Sequence, residues 1–282
     1  MNLTLVLELA DRREVLVLDL DPALPNEATV LADLQAGHLY EPDVTHAMMR
    51  ILRPGDTMID VGVNAGFFTI LGGRLVGPEG RVIGLEPDPR SLERLPARLQ
   101  ENGLDHATIL PVAASDRTGS VTFHLNTDNS GGSALWDPAL YPNNVRSTAD
   151  RRTVQVQSVM LDDLIPRLGD RVPRLIKIDT EGAEHAVLSG ALRLLRQRPR
   201  PFVIAELHGF GLERRGSSQM GLRRCMAELG YDCFLLYRNG CLPKLLPSGT
   251  VLRSDYTANL LFTTPDLLGP LWPEEVFDPL SP

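Results

Sequence analysis

Asp60-Val-Gly-Val-Asn-Ala-Gly66 sits between Thr57-Met-Ile-Asp-Val61, which reads as a buried strand, and Phe67 to Val76, which reads as an apolar helix. Glycines at such a junction let the chain turn sharply and let a ligand approach the backbone. The helix start behind them offers free N–H groups. A dinucleotide fingerprint would read G-x-G-x-x-G. The pattern here is G-x-N-x-G behind an acid. Asp60 would repel a pyrophosphate but suits a cation such as the ammonium of an amino acid; S-adenosylmethionine carries one, besides a sulfonium. A turn that holds no ligand is the plainer alternative.

Outward from this turn, strand and helix patterns alternate. Arg81-Val-Ile-Gly-Leu85 is a second strand, 89–102 a helix and Ala107 to Val112 a third strand. The alternation resumes with Arg174-Leu-Ile-Lys-Ile178, a helix over 183–196, the strand Phe202 to Leu207 and a helix from Met220 to Leu229. Tyr231 to Tyr237 and Ala258 to Thr263 close the set as an antiparallel edge pair. This order predicts an α/β fold, a mostly parallel sheet with helices on both faces. Residues 1–53 form an N-terminal extension: a β hairpin turning near Asp11-Arg-Arg13 and a helix over 43–52. Residues 54–264 are the main domain, with a β-hairpin and loop inserted at 119–158. The loop 126–152 is long enough to be a lid or disordered, and Asn129-Ser-Gly-Gly-Ser133 within it reads either as a ligand contact through backbone groups or as a mobile linker. The Pro-rich tail, 265–282, is expected to pack loosely.

The chain has 282 residues, 43% of them hydrophobic and 23% charged, which is ordinary globular composition. No apolar run is long enough to span a membrane, and Glu8 interrupts the first apolar stretch, so neither an anchor nor a signal peptide is expected. A net charge of −8 argues against a general nucleic-acid binder. Cys225, Cys233 and Cys241 cannot all pair and lack C-x-x-C spacing, which fits reduced thiols and a cytoplasmic protein.

Three further elements carry chemistry. Glu86 ends the second strand, where a carboxylate can accept hydrogen bonds from ribose hydroxyls. Lys177-Ile-Asp-Thr-Glu-Gly-Ala-Glu184 lies where the fourth strand meets its helix, at the carboxyl edge where open α/β sheets bind ligands. Lys177 and Asp179 point to one side of that strand, and Asp179, Glu181 and Glu184 crowd three carboxylates together. Glu206-Leu-His208 ends the fifth strand, and His208 can accept a proton near neutral pH. For each of these, a solvated strand-end charge or a structural histidine is the competing reading.

Taken in order, these residues resemble the FkbM family of S-adenosylmethionine-dependent methyltransferases. The resemblance runs from about Asp56 to Thr263, over Asp60 to Thr69, Glu86-Pro87, Ala113-Ala-Ser-Asp-Arg-Thr-Gly119, Leu161-Asp-Asp-Leu164, Lys177 to Glu184 and Glu206 to His208. It implies a Rossmann-like class I methyltransferase fold, whose seven-stranded sheet has an antiparallel last strand. It also implies methyl transfer to an oxygen, often a sugar or natural-product hydroxyl. By family position Asp60, Gly62, Asn64 and Gly66 hold the methionine part, Glu86 the ribose, and Ala113, Ala114 and Asp116 lie near the adenine. Phe67, Pro87 and Asp179 join these cofactor-binding residues. Val63 departs from the family, where a small Ala is common.

The candidate base is His208, then Asp179, with Lys177 and Glu181 as further catalytic residues. A divalent metal on Asp179, Glu181 and His208 is the alternative means of activating a hydroxyl. A nicotinamide-dependent oxidoreductase and a non-catalytic binding module are the rival functions. The expected partner is a small-molecule or glycan acceptor, whose identity the sequence leaves open. Oligomeric state is open too, a homodimer among the options.

Overall fold

The computed structural model describes residues 2–9, 12–141, 144–253 and 257–273. Thirteen strands follow one another: β1 (Asn2–Leu9), β2 (Arg12–Asp19), β3 (Thr57–Val61), β4 (Arg81–Leu85), β5 (Ala107–Leu110), β6 (Val112–Ala114), β7 (Gly119–Leu125), β8 (Arg152–Val159), β9 (Leu175–Ile178), β10 (Phe202–Leu207), β11 (Asp232–Leu235), β12 (Lys244–Leu245) and β13 (Ala258–Thr263). The principal sheet has the order β12-β11-β13-β10-β9-β3-β4-β5. The sheet therefore has eight strands where seven were expected. The eighth, β12, contributes only two pairs to β11. Ala258–Thr263 is antiparallel, as expected, but it is not an edge strand: it lies between β10 and β11.

Alternation along the central strands divides the core. Met58, Phe202 and Ile204 pack on one face, while Ile59, Val61, Val203 and Ala205 pack on the other. The first face also takes up α1 (Pro25–Gln35), α2 (Pro42–Ile51) and α3 (Phe67–Val76). α1 carries no strong apolar stripe, since two of its four buried residues are Asn26 and Glu27, and so the sequence pattern does not reveal it. The antiparallel hairpin β1–β2 buries Leu7, Leu16 and Leu18 in the same cluster. Its expected turn at Asp11 lies outside the described residues.

Three expected continuous elements are broken, each for a local reason. Pro111 lacks the N–H that a ladder needs. The third strand therefore ends at Leu110, and Val112–Ala114 crosses to a separate sheet of order β6-β8-β7. Within the insertion β7 and β8 pair as the expected antiparallel hairpin, and β6, from before it, adds a parallel third strand. The helix over 89–102 splits into Pro89–Leu92 and Leu95–Glu101, with Pro96 in the first turn of the second piece. The helix over 183–196 splits at Gly190, where a Cβ would lie 2.1 Å from the Ser115 carbonyl oxygen.

The tail does not pack loosely where it is described. Pro265–Leu268 is helical, and Leu268 and Trp272 are buried in the first cluster. Trp272 receives the Arg50 guanidinium 5.4 Å from its ring centroid and donates Nε1–H to the Gly240 carbonyl at 3.2 Å. Residues 274–282 lie outside the described residues. Trp272→Ala is expected to cost about 3–5 kcal/mol of unfolding free energy. Urea titration checks this, and a loss below about 1 kcal/mol would mean that the tail is not part of the core.

Candidate active site

Four neighbouring parallel strands, β10, β9, β3 and β4, end at one edge of the sheet. Beyond that edge lies an open cavity. Its floor follows strand order. Glu206 belongs to β10, Asp179, Thr180 and Glu181 follow β9, Gly62 and Asn64 follow β3, and Glu86 and Pro87 follow β4. Strands stand about 4.8 Å apart, so the floor is roughly 14 Å wide from Glu206 to Glu86. Ala113, Ala114, Phe123 and Leu85 give the Glu86 end an apolar wall.

Gly62 is where β3 and β9 come too close for a side chain. It holds φ +87°, and a Cβ there would lie 1.9 Å from the Asp179 carbonyl oxygen. Asn64 also has positive φ, which Asn tolerates, and its backbone N–H donates to Glu86 Oε2 at 2.6 Å. The Asp88 N–H donates to Glu86 Oε1 at 2.7 Å. Each Glu86 oxygen thus accepts one backbone bond and keeps a second lone pair. Burial pushes the Glu86 carboxyl up to about 7 against these two bonds.

The opposite end is acidic. One oxygen from each of Asp179, Glu181 and Glu206 lies within 4.8 Å of the other two, an arrangement that suits a cation. Glu41, at the start of α2, faces the same space. Burial, with the neighbouring Asp179 charge, pushes Glu41 up to about 7 and Glu181 and Glu206 well above the usual carboxylate range. Lys177 is the adjacent cation, its Nζ 3.0 Å from Asp179 Oδ2 and 4.6 Å from the Phe68 ring centroid. Burial opposes its charge, but Asp179, Asp60 and Glu41 outweigh that and raise its pKa.

The expected site residues divide into two groups. Gly62, Asn64, Glu86, Pro87, Ala113, Ala114, Asp179 and Glu181 line the cavity. Asp60, Gly66, Phe67, Asp116, Lys177 and His208 are not on its wall. Asp60 is fully buried, opposite Lys177 in register, and accepts the Thr69 hydroxyl at 2.5 Å, so the residue expected to meet an ammonium is turned inward. Gly66 starts α3 and packs against Leu95, and Phe67 packs edge-on to Tyr40. Asp116 is exposed and accepts the Ser115 hydroxyl.

His208 caps the helix Gly209–Arg214, with Nδ1 accepting the Gly211 N–H at 2.9 Å. That bond puts the neutral ring's proton on Nε2, which stands 3.4 Å from Glu181 Oε2. Neither nitrogen has a lone pair free for a substrate hydroxyl. Burial lowers the His208 pKa further. Glu184, expected in the carboxylate cluster, instead accepts the Thr180 and Gly182 N–H groups, and Glu206 takes its place.

Of the remaining wall, the sequence pointed to the 129–133 stretch and did not reveal the rest. Asn26, Thr29, Tyr40 and Glu41 come from the N-terminal extension, and Asn129, Ser130, Gly131, Ser133 and Leu135 from the inserted loop. Asn26 joins the two, donating to Asn64 Oδ1 at 2.8 Å and accepting the Ser130 hydroxyl at 2.7 Å. The loop is built from short helical turns, Ser130–Gly132, Pro138–Leu140 and Val145–Ala149. The one sequence signal for Glu41 is an acid directly before a helix-opening proline.

Residues 60–233 match the methyltransferase FkbM domain, and the chain belongs to that family. The 31-O-demethyl-FK506 methyltransferase FkbM of Streptomyces tacrolimicus is 31% identical, over 66% of this chain and 80% of that one. The hexuronic acid methyltransferase AglP of Haloferax volcanii is 22% identical, over 60% of this chain and only 62% of its own length. The crystal structure of methyltransferase FkbM from Methylobacillus flagellatus is 17% identical with a TM-score of 0.45, covering 87% of this chain and 56% of that one. The O-methyltransferase TomG of Streptomyces achromogenes, solved in complex with SAM, is 14% identical with a TM-score of 0.43, covering 87% and 90%. Among the described residues no helix is long and apolar enough to cross a membrane.

Gly62→Ala is expected to lose about 2–4 kcal/mol of stability, because the new methyl meets backbone at a positive φ. Chemical denaturation checks this, and a change within about 0.5 kcal/mol would show that β3 and β9 can separate without cost.

Proposed function

We propose that this chain transfers a methyl group from S-adenosylmethionine to an oxygen of a small-molecule or glycan acceptor. The observation that carries the reading is the order of groups along the sheet edge: an apolar slot, a carboxylate with free lone pairs, then an acidic end. Ala113, Ala114, Phe123 and Leu85 suit a flat purine. The remaining lone pairs of Glu86 suit two ribose hydroxyls. Asp179 and Glu206 suit a cationic amino-acid end, the role the sequence assigned to Asp60. When bound, this cofactor supplies a methyl carbon made electrophilic by its positively charged sulfur.

The chain's remaining work is to align the acceptor oxygen and take its proton. Asp179 Oδ2 is already engaged by the Lys177 ammonium at 3.0 Å. Glu181 is raised by burial, lines the cavity and is better matched to a hydroxyl's proton. On this reading Glu181 is the base, and His208 is a positioning residue that holds it through Nε2. The names of the two relatives support an acceptor of this class: one names a hexuronic acid, the other a 31-O-demethyl compound.

Calorimetric titration with S-adenosylhomocysteine tests the cofactor without an acceptor. Micromolar binding is expected for the wild type, weakened about 30-fold or more in Glu86→Ala, which removes two hydrogen-bond acceptors at once. No binding to verified cofactor-free protein would overturn the reading, and NADH binding in its place would redirect it to nicotinamide chemistry. On an acceptor found by labelled-methyl transfer to hydroxylated compounds, Glu181→Gln is expected to lose about 10²–10⁴ in kcat. His208→Phe removes an N–H that favours the ionised carboxylate, so the acid limb of its pH–rate profile should move to higher pH. Turnover by Glu181→Gln within about threefold of wild type would remove Glu181 as base.

A further inference from the structure

Among the described residues, the non-glycines with positive φ are Glu41 (37°), Asn64 (51°) and Glu181 (56°), and all three line the one cavity. Glu41 is the least expected of them. Its side chain has none of Asn's tolerance for this region, and it precedes Pro42, which disfavours anything but extended backbone. Such a conformation persists only where its surroundings impose it. Here the Thr45 N–H donates to the Glu41 carbonyl at 2.9 Å and the Thr45 hydroxyl to the Tyr40 carbonyl at 2.8 Å. α2 itself is anchored by buried Val44, Ala47, Met48 and Ile51. The outcome is a carboxylate turned into the cavity, facing Asp179 across it.

Charge at that end does not balance. Four cavity-lining carboxylates, Glu41, Asp179, Glu181 and Glu206, share one cation, Lys177, whose ammonium is committed to Asp179 at 3.0 Å. Asp60 and Glu184 add negative charge behind them. Glu206 lines the cavity with Oε2 shut off from solvent and without a hydrogen-bond partner. Asp179 is answered by Lys177 and Glu181 faces His208, whereas Glu41's hydrogen-bond partner is the neutral phenol of Tyr40. A neutral guest leaves this excess as it is, and a cationic guest relieves it.

We infer that Glu41 is a specificity-determining residue that reads the positive charge on the donor's sulfur, so that the cavity holds the charged donor more tightly than the neutral-sulfur product. The inference rests on the cofactor proposed above. Donor and product differ by one methyl group and one positive charge, and the charge is what an unanswered carboxylate can sense. Glu41 lies in the N-terminal extension, before the family-matched segment 60–233.

The test titrates S-adenosylmethionine, S-adenosylhomocysteine and sinefungin, which carries an ammonium in place of the sulfonium, into the cofactor-free full chain. Wild type is expected to prefer both charged ligands to S-adenosylhomocysteine. Glu41→Gln should lower that preference about tenfold while S-adenosylhomocysteine affinity changes less than about threefold. Glu41→Gly should lose the preference equally, with a Tm at or above that of wild type, since glycine accepts the backbone angle. This second variant also keeps the test valid if the glutamine protein fails to fold. Wild-type binding of S-adenosylhomocysteine with an unchanged charged-to-neutral ratio in either variant would overturn the inference alone. No wild-type binding of any of the three ligands would overturn the proposed cofactor, and the inference with it.

Discussion

The carboxyl edge of this sheet depends on one buried ammonium group. Lys177 is 2% exposed, in a central strand, and its Nζ serves Asp179 directly and Asp60 across the register. Moving a lysine out of water costs several kcal/mol unless it is well paired, and removing one member of a buried pair costs about 3–5 kcal/mol. The same holds in reverse for the acids: Asp60 is fully buried with one oxygen unpartnered, and Lys177 and Thr69 offset its charge. The ammonium also lies over the face of Phe68, which makes it a packing partner of α3. One side chain thus couples strand register, the helix behind the glycine turn and the acidic end of the cavity. The gathering of Glu41, Glu181 and Glu206 at that end is tolerable only with a cation so near.

A second buried cation attaches the N-terminal extension to this frame. Arg98, 3% exposed, donates to the Ala65 carbonyl in the glycine turn, to the Asp19 carbonyl at the end of β2 and to Glu27 on α1. Each of its three partners lies at least 33 residues from it in sequence. Charge-assisted bonds of this kind are short and directional, and they fix α1 beside the turn. From there Asn26 reaches both Asn64 and Ser130, so the inserted loop is held against the same turn. The cavity wall facing the strand ends is therefore a consequence of one guanidinium and one amide, not of a separate domain folding over the sheet.

The sequence made the framework legible because its signals are local. A continuous apolar strand, a glycine turn and an apolar helix lie within twenty residues at Thr57–Val76, and the same unit recurs down the chain. Glu86, Asp179 and Glu181 were identifiable because position after a strand puts them at the carboxyl edge, whereas Ala113 and Ala114 came from the family resemblance alone. What the sequence hid is of two kinds. Side-chain surroundings were hidden for Asp60 and His208, each close to the edge in sequence, because the groups that hold them, Lys177 and Thr69 for one and Gly211 and Glu181 for the other, come together only in three dimensions. The wall of Asn26, Tyr40 and Glu41 was invisible for another reason. Its residues reach the site through long-range contacts, and α1 has too weak an apolar stripe to announce itself. Prolines and glycines at Pro96, Pro111 and Gly190 broke elements that periodicity alone would continue.

This division has a functional corollary. The floor of the cavity is made by strand ends whose positions the sheet fixes to within a strand spacing, which suits recognition of a ligand with a set length and set hydroxyls. The facing wall is made by α1, the start of α2 and the inserted loop, which meet through side-chain hydrogen bonds and can be re-cut without disturbing the sheet. Strain is concentrated on the boundary between the two, at Glu41 on the wall and Asn64 and Glu181 on the floor. Two large apolar clusters, one on each face of the sheet, hold the elements that carry these residues, so the backbone is not free to relax there. Floor and wall then divide the work of recognition. The sheet presents a surface carrying Glu86, Asp179, Glu181 and Glu206, and the wall adds one further carboxylate, Glu41, held opposite them by its own backbone strain.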